Sequence, residues 1–251
     1  DKLKLKNFLK LKNIFLKIKK DFIFKNQKIK LEYKKDNLSI VGAGKIFLQN
    51  EIDKIEYEIY KKENEIRFNT TLIISKNSLN LDLLNYKKDE NTDLKLNFKD
   101  KKNIKKELIF NEISLKEKNN IIYIKNLILS NDNRINDLGN IDIDYIDKEK
   151  LKNKLQITKK DKEYLISGNS FNINNIIEKL LNSENGKKSK FINKNFKLIF
   201  DIEKIYLDKN NIINRLKGFL SFNKNEISEL ILESKFSNQK NIKFTIKNNN
   251  K

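Results

Sequence analysis

Asp142 and Asp144 stand two residues apart and are the side chains here that most invite a chemical reading. Paired carboxylates facing each other across a cleft hydrolyse glycosides, and carboxylates gathered in an oxygen-rich loop bind calcium. In Ile141-Asp142-Ile143-Asp144-Tyr145, however, apolar residues alternate with the acids. Side chains two apart on a strand share one face, and like charges on one face suit water rather than catalysis. Glu56 and Glu58 repeat the arrangement. Gly42-Ala43-Gly44-Lys45 has the glycines and lysine of a phosphate loop without its spacing or its Ser/Thr. Inside a strand such glycines mark a bulge or a close backbone approach. Ser167-Gly168-Asn169-Ser170 has no histidine to activate a serine, because the chain contains none. Cys is absent as well, which removes thiolate ligands, disulfides and a cysteine nucleophile. The expectation is therefore no catalytic residue, no metal and no cofactor.

The elements that would hold these residues are strands. Lys2-Leu3-Lys4-Leu5-Lys6 opens a period-two alternation that returns at Lys28–Tyr33, Ile55–Ile59, Leu94–Phe98, Ile141–Tyr145 and Ile242–Ile246. Further runs read as strands at Phe8–Lys19, Leu38–Leu48, Asn64–Ser75, Leu79–Tyr86, Lys106–Phe110, Ile113–Lys116, Ile121–Leu129, Leu151–Ile157, Glu163–Ser167, Phe196–Leu207, Leu216–Phe222 and Ile227–Phe236. Lys87–Asp93 reads as a polar break. The exception is Phe171–Asn182, where Ile173, Ile176, Ile177, Leu180 and Leu181 recur at helical spacing. No linker rich in Pro, Gly or Ser divides the chain, so 1–251 reads as one all-β segment. The expected fold is a long antiparallel, strongly twisted sheet forming an open, taco-like groove. One short helix near Asn174–Leu181 should lie at a groove end or over an edge.

A net charge of +20 suggests nucleic acid. Nearly all of it is Lys, with Arg only at Arg67, Arg134 and Arg215, whereas base and phosphate readout favours Arg. Lys, Asn, Ile and Phe abound while Pro is absent and Ala43 is the only alanine, a bias that AT-rich codons explain. The lysines also fall at alternate positions, as a solvated strand face places them. No apolar run approaches the ~20 residues of a membrane helix. Met is absent too, and the chain is expected to be a segment of a longer protein.

Three stretches in order, Leu79 to Lys88, Tyr164 to Leu181 and Phe196 to Phe236, resemble the AsmA-like superfamily of bacterial envelope proteins, in its YhdP-type branch. Leu79-Asn80-Leu81-Asp82-Leu83-Leu84-Asn85-Tyr86-Lys87-Lys88 resembles a strand motif of that family, without its Pro, Gly and Trp. Tyr164 to Leu181 resembles its strand-to-helix step, with Asn172 where Asp is usual. Phe196 to Phe236 resembles its later series of strands. The resemblance implies a non-enzymatic phospholipid-conducting segment of a bridge between inner and outer membranes. It also implies a periplasmic location and attachment to the inner membrane through a segment outside this chain.

On that reading the partners are phospholipid acyl chains, with no specific nucleic acid. Period two then nominates Leu94, Leu96, Phe98, Ile141, Ile143, Phe244 and Ile246 as the lipid-facing set. Two other readings fit the alternation. A structural or adhesin-like β-sandwich would close its apolar faces on each other ~10 Å apart. A basic nucleic-acid module would gather Lys and exposed aromatics on one face.

Overall fold

The computed structural model describes residues 23–48, 50–63, 65–102, 108–130, 135–175, 195–223, 226–236 and 238–247. They are almost entirely β-strand, and they group into two compact units. The first is drawn from 1–81 and 87–133, the second from 82–86 and 134–251.

In the first unit β1 (Ile23–Lys34), β2 (Asn37–Phe47), β3 (Ile52–Lys62) and β4 (Glu65–Ile74) follow one another as hairpins. Two short strands, β5 (Leu79–Leu81) and β6 (Tyr86–Lys88), flank a 3-10 turn at Asp82–Leu84. The expected strand Leu79–Tyr86 is therefore interrupted where Leu83 and Leu84 break the alternation. The first unit continues with β7 (Leu94–Lys102) against β4, then β8 (Leu108–Glu117) and β9 (Asn120–Leu129), all antiparallel. The two runs expected at Lys106–Phe110 and Ile113–Lys116 are one strand, β8. Asn111 is the extra residue of a bulge between the pairs Asp100↔Phe110 and Lys99↔Glu112, and it shifts the alternation by one.

The 3-10 turn Asp82–Leu84 and Tyr86 belong to the second unit, which resumes with the short strand β10 (Ile135–Asp137). Its sheet runs β11 (Asn140–Ile146), β12 (Lys152–Lys160), β13 (Glu163–Asn172), β14 (Phe196–Tyr206), β15 (Ile212–Asn223), β16 (Glu226–Phe236) and β17 (Asn241–Lys247). All pairs are antiparallel except β13–β14, which is parallel. That pair departs from the antiparallel expectation. Parallel neighbours need a crossover of a dozen or more residues, and the segment carrying the helical periodicity lies between these two strands. Of the expected helix, Asn174 and Asn175 are helical, and Ile176 to Leu181 lie outside the described residues. Among the described residues β1 does not pair with β9, nor β11 with β17, so neither unit's strands close into a barrel.

The glycines of the would-be phosphate loop lie within β2. A Cβ on Gly42 would come within 2.2 Å of Tyr57 Cζ, so the missing side chain makes room for that ring. Each unit also holds a buried polar clasp. In the first, Asp53 accepts the Ser75 and Lys76 N–H groups at 2.8 and 2.9 Å, and Asn77 Nδ2 donates to its other oxygen at 2.6 Å. Lys88, read from sequence as part of a polar break, is fully buried and donates to the carbonyls of Asn77 and Asp89 at 2.6 and 2.8 Å. In the second, Asp147 accepts the N–H groups of Glu149 and Leu151 and the Asn172 amide at 2.7 Å. Most buried polar groups are satisfied in this way.

Candidate functional site

Cross-strand register sorts the apolar residues into rows, since directly opposed residues point to the same face. In the first unit one row is Ile55–Leu72–Leu96–Leu115–Ile122, and every member is buried. The next contains Tyr57–Thr70–Phe98–Ile113–Ile124. Leu94, Leu96 and Phe98 are at most 6% exposed. Burying each such side chain contributes about 1.5–3 kcal/mol, so this face is a scaffold core.

A third row, Ile59–Phe68–Asp100–Phe110–Leu127, carries an acid among apolar neighbours. Asp100 is buried, and its Oδ1 has no hydrogen-bond partner among the described residues. Burial pushes its carboxyl up to about 7, against a smaller opposing pull from a hydrogen bond with the Phe68 backbone.

Rows of the same kind cross the second unit. One runs Ile141–Ile157–Ile166–Phe200–Gly218–Leu232–Phe244. A second runs Tyr164–Leu198–Leu220–Leu230–Ile246, and a third joins Ile143 to Leu155, Gly168, Ile202 and Leu216. Ile141 and Ile157 are half-buried, and from Ile166 onward cover falls toward the last strand. Ile143 and Ile166 are buried, Phe200, Leu220, Leu230 and Leu232 are half-buried, and Phe244 and Ile246 on the last strand are 63% and 47% exposed. The register thus places Ile141 and Phe244 on one row and Leu94, Leu96 and Phe98 on the covered face of the other unit.

The carboxylates nominated by spacing have ordinary cross-strand partners. Asp144 is ion-paired with Lys152, and Lys154 lies at 3.7 Å. Asp142 accepts Gln156 Nε2 at 3.4 Å, and Glu58 accepts Asn69 Nδ2 at 3.2 Å. Ser170 Oγ donates to the Lys152 carbonyl at 2.6 Å. Gly168 lies where a Cβ would come within 2.3 Å of the Lys154 carbonyl oxygen, beside a bulge in β12–β13. These arrangements hold strands together.

The chain matches no protein-family model, no curated protein and no solved structure. At one end of the second unit's apolar rows lies a cleft of about 380 Å³ lined by Asp137, Lys159, Lys162, Tyr164 and Phe196. Tyr164 donates its hydroxyl to Asp137 at 3.0 Å, and burial pushes that phenol up to about 12. Phe196 meets Tyr164 edge-on and stacks on Phe222 with centroids 4.6 Å apart. Sequence reading missed this aromatic step, since Phe196 and Phe222 come together only through the register of β14 and β15.

Proposed function

We propose that the chain is a non-enzymatic segment that carries phospholipid acyl chains along the apolar face of the second unit, within a lipid-conducting bridge of the bacterial envelope. The protein would work in the periplasm, attached to the inner membrane through a segment outside this chain. The observation that carries the reading is the loss of cover from Ile166 to Phe244 along one continuous apolar row. The three strand spacings from β14 to β17 measure ~14 Å. Half of a ~30 Å hydrocarbon core, the reach of one leaflet's acyl chain, is ~15 Å. Each methylene withdrawn from water there contributes ~0.8 kcal/mol. The resemblance of Tyr164–Leu181 and Phe196–Phe236 to the YhdP-type pattern supports the same reading, and both stretches lie in this unit.

Photo-crosslinkers placed at Phe244 and Ile246, and on the opposite face at Lys243 and Lys247, test the proposal in cells. Phospholipid should be captured from the first pair and not from the second, and Leu96 in the covered face should capture little. Equal capture from both faces, or none from either, overturns the reading.

A further inference from the structure

The β15–β16 ladder slips by one residue between the pairs Asn214↔Lys235 and Lys217↔Glu233. Inside this bulge Arg215 adopts a φ of 54°, in the left-handed region that side chains with a Cβ avoid. Two other non-glycine strand residues share the region, Asn26 and Asn126, and asparagine adopts it several-fold more readily than arginine. A bulge re-aims a side chain, and a strained residue that the fold maintains is a pointer to use.

Arg215 borders a depression of about 640 Å³ together with Lys204, Lys235, Glu203, Asn169 and Tyr206. Its charge balance is unlike that of the surrounding sheet. Elsewhere on β14–β17 the strand lysines stand against carboxylates: Lys197 with Glu163 at 3.5 Å, Lys217 with Asp201 at 3.6 Å, Lys243 with Glu233 at 2.8 Å and Lys247 with Glu229 at 3.9 Å. Arg215, Lys204 and Lys235 make no ion pair among the described residues, and Glu203 is the one carboxylate in the lining. Cations held near one another repel unless an anion joins them.

We propose that this depression binds a phosphate group, with the Arg215 guanidinium as the two-pronged donor and Lys204 and Lys235 as flanking charges. The site stands on the bulge and its unpaired cations and does not depend on the acyl-chain reading. The phosphate could belong to a soluble phosphorylated compound or to a lipid headgroup, and the two differ only in what the phosphate is attached to.

The test uses the whole chain, with inorganic phosphate as the probe in calorimetry and in amide-shift titration, at low and at physiological salt. Arg215→Gly removes the guanidinium and relaxes the backbone, because glycine adopts this φ freely. Its melting temperature should stay level or rise while phosphate affinity falls about tenfold or more. Arg215→Lys should lose part of the affinity, and Lys204→Gln with Lys235→Gln should weaken binding through charge alone. Flotation with phosphatidylcholine vesicles, with and without phosphatidate, separates the sources. Capture by phosphatidate vesicles that inorganic phosphate competes away assigns the site to a headgroup. Phosphate binding without capture assigns it to a soluble compound. No phosphate binding by the wild-type chain, or undiminished binding by Arg215→Gly, overturns the proposal.

Discussion

Leu96 in the first unit and Phe244 in the second are placed by the same alternation, yet 6% of one side chain is exposed and 63% of the other. The strands around them differ little in composition. What differs is cover. Across the inner strands β3–β9 every member of the Leu96 row is buried, whereas the Phe244 row ends on the edge strand β17. The first unit's own edge strand β1 likewise exposes Ile29 and Leu31, at the ends of the Phe98 and Asp100 rows. Period two therefore decides which face a residue occupies, and the surroundings of that face decide whether it becomes core or binding surface.

The largest expected effect follows directly. Leu96→Asp puts an unpaired charge into a closed face and should cost about 4 kcal/mol or more in urea unfolding. Phe244→Asp should stay within ~0.5 kcal/mol, as exposed substitutions do. Equal losses would erase the distinction between inner and edge strands.

Asp100 sharpens the comparison through pH. Its folded-state carboxyl titrates at about 7, above an unfolded value near ~3.9. Between these values the folded protein binds more protons, so stability should fall as pH rises from about 4 to about 7 and then level off. At pH ~8 the ionised group should cost up to roughly 4 kcal/mol. Asp100→Asn should recover much of this and flatten the slope, measured by urea unfolding across that range. A slope that Asp100→Asn leaves unchanged would show that the acid is solvated and the face less closed than Leu96 indicates.

The smallest effect concerns the charge excess. Binding to DNA or RNA should be weak, indifferent to sequence and steeply reduced by salt, as counterion release requires. Tight, sequence-dependent binding at physiological salt, read by fluorescence anisotropy, would transfer function from the apolar face to the lysines.

Much of the fold was legible because the alternation is written residue by residue, as at Ile55–Ile59 in β3 and Leu94–Phe98 in β7. The position of Asp100 was legible in principle, since Leu94, Leu96, Phe98 and Asp100 fall on alternate positions of β7. Its burial was not, because that depends on Phe68 and Phe110 from neighbouring strands. The bulges at Asn111 and Arg215 escaped notice, since a one-residue slip leaves no compositional mark. The parallel step at β13–β14 was hidden because alternation fixes faces and says nothing of strand direction. Within the nominated lipid-facing set, local pattern could not distinguish the covered Leu94 from the exposed Ile246, since cover is a tertiary property.

That parallel step also bears on the order in which the second unit acquires its structure. From β14 onward each strand pairs with the one before it across a short connection, so β14–β17 need only local loop closures. Joining them to β13 requires closing residues 173–195 first, an entropic cost that precedes any reward from the ladder. The last four strands are thus set up as a separate cooperative unit, a foldon able to open at a lower free energy than the rest. The strands bearing the open apolar face would then detach together, without disturbing β11–β13.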